Sequence, residues 1–250
     1  MNAVKIIEHL ETYFPLHLQM SWDKCGVQCG NINQDVSKVL VALNADLNSL
    51  QQAIDNNCQM LVTHHPFWLE EVTNLNTNNH HGKFIELAFK HDILVYSLHT
   101  CLDRGQNGIS MNDWLINALN VEDVKCYDEY EVGKMATLKQ PCLTSELVKR
   151  IQDIFNVPVR LAGKEKMIKT VAICGGSGAD DLNQLVNRVD CYITGDSKHR
   201  HGKFALDHDI VLIDVPHHLE AIMETKLTEI LNQLDIEAIS ANSQDYFKYY

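Results

Sequence analysis

The chain has 250 residues, 45% of them hydrophobic, with a formal net charge of −12. That size allows one large domain or two small lobes around a real apolar core, and the negative charge excludes a general basic face for nucleic acid. No run of ~18 apolar residues occurs, so no membrane-spanning helix is expected.

Residues 1–14 read as an amphipathic helix. They lack the charged, apolar, small-residue order of a signal peptide, so the expected compartment is the cytoplasm. Apolar β-rich runs then alternate with helical patterns: strand over 39–43, helix over 48–56, strand over 60–63 cut off by Pro66, helix over 83–90, strand over 93–98, helix over 109–119. After a middle stretch with a short strand over 134–138, a helix opened by Thr144 and an extended run over 157–161, the alternation returns. Strands are expected over 169–174, 191–194 and 210–215. Helices are expected over 180–187, 202–208 and from His217 to about Leu234. Such alternation predicts parallel pairing with helices on the sheet faces. The expected fold is therefore α/β, two related lobes with mostly parallel sheets flanked by helices and packed as one unit. The first lobe is expected over 1–125 and the second over 126–250, with no inserted extra domain. The tail, residues 241–250, ends in Tyr246, Phe247, Tyr249 and Tyr250 and is expected either to fray or to dock on a neighbouring copy.

The eight cysteines have no CxxC spacing, and a chain of this size needs no disulfide framework, so reduced thiols are expected. Histidine is the unusual entry. There are thirteen, clustered at His64–His65, His80–His81, His199 with His201, and His217–His218, which raises the expectation of metal binding or proton transfer.

Three motifs sit at the carboxyl ends of expected strands, where open α/β sheets bind ligands. The first is Thr63-His64-His65-Pro66. Adjacent histidines in a strand would face opposite ways, whereas in a turn stopped by proline both can face one cleft; the alternative is a polar turn capping backbone carbonyls. The second is His99-Thr100-Cys101-Leu102-Asp103. Asp103 offers a hard oxygen ligand or a helix N-cap, and His99 could bind metal, orient a ligand or move protons. The third is Pro216-His217-His218-Leu219-Glu220. His217 and Glu220 are three apart and share a helical face, either for metal or as a solvated first turn. Together the motifs supply His64, His65, Asp103, His217 and Glu220. This mixed nitrogen and oxygen set suits zinc, iron or manganese better than magnesium or calcium. Five ligands exceed one tetrahedral ion, so two divalent ions sharing a carboxylate are expected.

In the order and approximate spacing of Ser21-Trp22-Asp23-Lys24-Cys25-Gly26-Val27, the His64 and His99 motifs, Gly175-Gly176-Ser177-Gly178, Thr194-Gly195-Asp196 and the 214–220 segment, the chain resembles the Nif-three-like dinuclear metal-centre proteins, also called GTP cyclohydrolase 1 type 2 homologues. The match runs from about residue 1 to 235. The resemblance implies an α/β fold of two related lobes, a toroidal homohexamer, and metal roles for the same five residues, with His99 near the site. Two departures stand out. The family's glutamate follows the last ligand histidine by four residues, whereas Glu220 follows His217 by three, so a shortened turn must deliver it. Arg200 stands where relatives carry a histidine after Thr-Gly-Asp. The function expected is a metal-dependent hydrolase of a small nucleotide-like substrate, with His99 as general acid or base. The alternative is a non-enzymatic metal-binding assembly protein or metallochaperone.

Overall fold

The computed structural model describes residues 1–69 and 71–249; Tyr250, the end of the aromatic tail, lies outside the described residues. The chain is α/β and divides into two compact units. One comprises Met1–Asn107 with Ala221–Gln244, the other Gly108–Glu220 with the residues from Asp245 on. The last helix and strand thus belong with the first sheet, where the sequence reading carries the second lobe through to residue 250.

In the first unit, α1 (Ala3–Glu11) precedes β1 (Gly26–Cys29), β2 (Lys38–Asn44), α2 (Leu47–Asp55), β3 (Met60–His65), α3 (His80–Lys90), β4 (Leu94–Ser97) and the short α4 (Thr100–Arg104). The sheet has the order β1-β4-β3-β2-β11, where β11 is Glu237–Ser240 and follows α8 (Ile222–Leu231). All pairings are parallel except that of β1 with β4. Both faces are covered. Leu40, Ala42 and Leu61 pack with Leu50 of α2 and Phe84 of α3, while the alternate residues Val39, Val41 and Val62 are also fully buried. This is why β2 and β3 read as unbroken apolar runs. α2 opens on a capping box in which Asp46 accepts from the Ser49 N–H and the Ser49 hydroxyl faces the Asp46 N–H, satisfying two otherwise orphaned donors.

The second unit holds α5 (Met111–Asn117), β5 (Val121–Cys126), β6 (Lys134–Leu143), α6 (Thr144–Phe155), β7 (Arg160–Ala162), β8 (Met167–Ile173), a 3₁₀ turn (Ala179–Leu185), β9 (Cys191–Gly195), α7 (His199–Asp207) and β10 (Val211–Val215). Its sheet, β5-β6-β8-β9-β10-β7, is mixed. β8, β9 and β10 are parallel neighbours, but β5–β6, β6–β8 and β10–β7 are antiparallel. Each antiparallel pair includes a strand of the middle stretch, β5, β6 or β7; of these pairs only β5–β6 is joined by a short hairpin connection.

No helix among the described residues is long and apolar enough to cross a membrane.

Candidate metal centre

β2, β3 and β4 run parallel, so their carboxyl ends lie along one edge of the first sheet. β3 ends on His64 and His65, and Pro66, without an N–H, cannot extend the ladder. The histidines are therefore the last two residues of the strand rather than part of a turn beyond it. Strand alternation buries His64 completely and leaves His65 partly exposed. At the strand end the two rings still come within 4.8 Å, centroid to centroid. The His99 ring stands 5.1 Å from that of His64 and 5.5 Å from that of His65. One ring nitrogen from each of the three lies within 4.8 Å of the others.

What fixes these rings is the atom behind each one. His64 Nδ1 is 2.9 Å from the Leu98 carbonyl oxygen, His65 Nδ1 is 2.7 Å from Asn44 Oδ1, and His99 Nδ1 is 2.9 Å from Asp23 Oδ1. Each of those oxygens can only accept, so each Nδ1 carries the proton and donates it. A neutral ring so held presents Nε2 as its lone-pair nitrogen, the tautomer a metal requires. Sheet register supplies one of the anchors, because Asn44 is the β2 neighbour of His65. Asp103, in the first turn of α4, places Oδ1 3.6 Å from His64 Nε2. A lone-pair nitrogen and a carboxylate facing each other repel unless a cation or proton lies between them.

Asp23 is the buried support of this half. Besides His99 it accepts from the Thr100 N–H at 2.9 Å, from the Thr100 hydroxyl and from the Cys25 thiol at 3.1 Å. Burial works to raise its pKa. The hydrogen bond and charge of His99, with the bonds from Thr100 and Cys25, outweigh burial and hold the carboxyl far below the usual range.

In the second unit β10 stops at Pro216 and the chain enters a 3₁₀ turn, His217–Ala221, before α8. The sequence reading expects an α-helix from His217. The 3₁₀ geometry answers the short spacing: with about three residues per turn, side chains three apart eclipse. His217 Nε2 accordingly lies 3.1 Å from Glu220 Oε2. Behind the ring, His217 Nδ1 is 2.7 Å from Asp196 Oδ2. The hydrogen bond that His217 donates to Glu220, opposed by burial and helped by the charge of Glu220 and by the bond to and charge of Asp196, pushes the His217 pKa up to about 9. Gly176 has φ +63°, and a Cβ there would lie 2.5 Å from Glu220 Oε1 and 3.3 Å from His217 Nε2. Only glycine leaves the carboxylate its place. A cavity of about 650 Å³ borders His217, lined also by Asp196, Arg160, Phe247 and Tyr249.

His64, His65, His99 and Asp103 thus gather in the first unit, and His217 and Glu220 in the second. Sequence reasoning missed the groups that aim them: Asn44, Asp23, Asp196 and Gly176. Asp23, Asp196 and Gly176 lie inside recognised motifs but had no assigned role, and Asn44 had no signal beyond its place at a strand end. His201 turns out to be structural. It faces the Lys198 N–H at 3.1 Å and Asp180 at 2.9 Å, and Arg200 meets the same carboxylate at 2.6 Å, which ties α7 to the 3₁₀ turn at Ala179–Leu185.

The family profile of DUF34/NIF3 (NGG1p interacting factor 3) matches residues 1–245. The chain belongs to the DUF34/NIF3 family. Among curated relatives, the Clostridium acetobutylicum protein named GTP cyclohydrolase 1 type 2 homolog is 29% identical, covering 96% of each chain. The yeast (Saccharomyces cerevisiae) NGG1-interacting factor 3 is 28% identical over 78% of this chain and 77% of its own. Among solved structures, Staphylococcus aureus SA1388 superposes with TM-score 0.92 at 25% identity, covering 100% of this chain and 99% of that one. Reduced HcgD from Methanocaldococcus jannaschii superposes with TM-score 0.88 at 27% identity, covering 97% and 98%. A Bacillus cereus protein related to NIF3 shares the fold, with TM-score 0.93 at 20% identity over 100% and 99% of the two chains.

Proposed function

We propose that this DUF34/NIF3 chain holds two divalent metal ions on His64, His65, Asp103, His217 and Glu220, and that it hydrolyses a small nucleotide-like substrate there. One observation carries the reading: His64, His65, His99 and His217 each have Nδ1 tied to an oxygen, so each is set to use Nε2. Carboxylate or carbonyl support behind a histidine is the arrangement that orients metal ligands. The donor set, imidazole with carboxylate, fits zinc, iron or manganese. Such ions supply charge stabilisation and lower the pKa of water.

The residues of the chain divide the remaining work. Glu220 brings a buried carboxylate able to bridge, kept in place by the space above Gly176. His99, its Nδ1 held by Asp23, moves a proton at Nε2. The nucleotide-like substrate is suggested by the relatives' printed name, GTP cyclohydrolase 1 type 2 homolog, and a six-membered ring is the assembly we attach to this reading. The test is metal analysis of protein purified without added metal, followed by a screen of nucleotides and phosphoesters. His99→Ala should keep most of the metal and lose ~10²–10⁴-fold in turnover. Metal without turnover on any compound would favour a metal-carrying assembly protein. Loss of metal in His99→Ala would make His99 a ligand.

A further inference from the structure

The run Lys198-His199-Arg200-His201-Gly202-Lys203 has five basic residues and no acid, in a chain of net charge −12. Arg200 and His201 are turned to Asp180. Lys198, His199 and Lys203 instead line a cavity of about 440 Å³. Arg160 and Asp214 border both this cavity and the one of about 650 Å³ beside His217, so the two adjoin. The Asp214 carboxylate is already engaged: Oδ2 accepts from Arg160 Nε and Oδ1 from the Ser197 N–H, each at 2.7 Å. Arg160 Nη2 also donates to the Ser197 carbonyl oxygen at 3.0 Å, so the guanidinium is held in place while the side chain stays 72% exposed. The Ser197 hydroxyl, on the wall of the smaller cavity, is buried with no hydrogen-bond partner among the described residues. A buried donor in that state calls for an acceptor.

The larger cavity is bordered by the aromatic tail, and Asp245 shapes that tail. Its Oδ1 accepts the Phe247 N–H at 2.9 Å and its Oδ2 accepts the Tyr249 hydroxyl at 3.2 Å. Phe247, Lys248 and Tyr249 all line the cavity, with Phe247 72% and Tyr249 53% exposed. Open aromatic faces beside cationic side chains are the means by which proteins stack a nucleobase and hold its phosphate, with no need for sequence-specific contacts.

We propose that the two adjoining cavities form one site for a nucleoside polyphosphate, bound with its base toward the metal centre. The base stacks on Phe247 and Tyr249 beside His217. The phosphates run past Arg160 and the Ser197 hydroxyl to Lys198, His199 and Lys203. Such a ligand is flat and aromatic at one end and polyanionic at the other, and the lining changes in the same sense along the two cavities. Both volumes lie in the range of small-ligand sites. Lys203 pairs with Asp207 on the surface, a contact weak enough for a phosphate to replace. This polarity, which rests on the nucleotide-substrate reading above, sets the nucleoside and not the phosphate chain beside His217.

The experiment is calorimetric titration of the full-length protein with GTP and with guanosine, with metal content measured on the same preparations. Phe247→Ala should weaken GTP and guanosine alike, by roughly tenfold or more, and Phe247→Tyr, which keeps the ring, should bind both as the wild type does. Lys198→Ala combined with His199→Ala should weaken GTP roughly tenfold, reduce its dependence on salt and leave guanosine unchanged. The substituted residues are exposed, so the variants should fold and keep the wild-type metal content. GTP binding that survives Phe247→Ala, or guanosine weakened as much as GTP by the Lys198 and His199 substitutions, would overturn this site and leave the nucleotide reading standing. A single-stranded oligonucleotide that binds more tightly than GTP would overturn it too, by making the groove a track for a strand. Metal-loaded protein that binds no GTP would overturn both the site and the nucleotide substrate, but not the metal centre.

Discussion

The first unit contains two adjacent-histidine pairs that look alike in sequence, His64–His65 and His80–His81. The first pair ends a buried parallel strand, and each ring is tied through Nδ1, one to the Leu98 carbonyl and one to Asn44. The second pair opens α3, with His80 exposed and His81 half-exposed. Its rings lie against each other at 3.9 Å, and His81 meets Phe67 edge-on. The dipeptide is therefore not the signal of a metal site. A fixed tautomer beside further ligand atoms is the better guide, because an ion binds a lone pair that is already aimed more tightly than one it must orient for itself; the tie alone is not enough, since His208 Nδ1 is held 2.9 Å from the Phe204 carbonyl oxygen with no such neighbours among the described residues.

Substitutions within the two pairs should separate them most sharply. His64→Ala or Asp103→Ala should remove at least one ion or weaken metal binding by ~10³-fold or more, since each deletes a proposed ligand and leaves its partner across the 3.6 Å His64–Asp103 gap uncompensated. His80→Ala and His81→Ala should leave metal content unchanged and shift stability by no more than about 0.5 kcal/mol. Equal losses from both pairs, measured by metal analysis, would mean that the tied rings of His64 and His65 confer no advantage.

Removing an anchor while keeping its ligand gives an intermediate effect. Asn44→Ala for His65 and Asp196→Ala for His217 should each weaken metal affinity ~10–100-fold. Titration calorimetry showing no change in either variant would mean that the Nδ1 contacts are incidental.

A proton provides a third test. Without metal, the His217 pKa is about 9, with Glu220 the main cause. An ion must displace that proton, so affinity should rise about tenfold per pH unit from roughly pH 7 and level off above about 9. Glu220→Gln removes the main cause, so its levelling-off should move to lower pH.

Glu224, four residues after Glu220, should have the smallest effect on metal, under about twofold for Glu224→Gln. Its influence is on stability. It is buried and accepts from the Leu43 N–H at 2.8 Å, and burial, partly offset by bonds from Ser243 and Leu43, raises its pKa to about 7. A carboxyl raised above its unfolded value of about 4.3 holds its proton more tightly when folded. Its contribution is full below about pH 4 and lost as pH rises through about 7, on the order of 3 kcal/mol in all. Chemical denaturation across that range should show the loss in the wild type and not in Glu224→Gln, whose amide oxygen can still accept from Leu43.

Most of the strands and helices were legible because their apolar runs are long or strongly periodic. β2 and β3 are buried on both faces, and α6 opens at Thr144 as expected. What escaped has a physical reason in each case. α4 spans five residues, too few to show a period. β11 has only four residues, of which Ala238 alone is buried, and its place beside β2 depends on a return from a distant part of the chain. The mixed second sheet was hidden because periodicity reveals a strand but not the direction of its partner. At the candidate site, ligand types could be read from the motifs, while the anchors could not. Asn44 and Asp196 matter only through neighbours 21 residues away, and Gly176 only through the space it leaves. The spacing of three between His217 and Glu220 becomes intelligible once the turn is 3₁₀ rather than α.

Whether five residues hold two ions is read most directly from metal content per chain in wild type, Asp103→Ala and Glu220→Gln, measured by inductively coupled plasma mass spectrometry on protein purified without chelator. The wild type should carry about two divalent ions and each variant should lose at least one, with near-native circular dichroism throughout. A wild type carrying no stoichiometric metal after incubation with zinc, iron(II) or manganese(II), or variants as fully loaded as the wild type, would contradict the two-ion site.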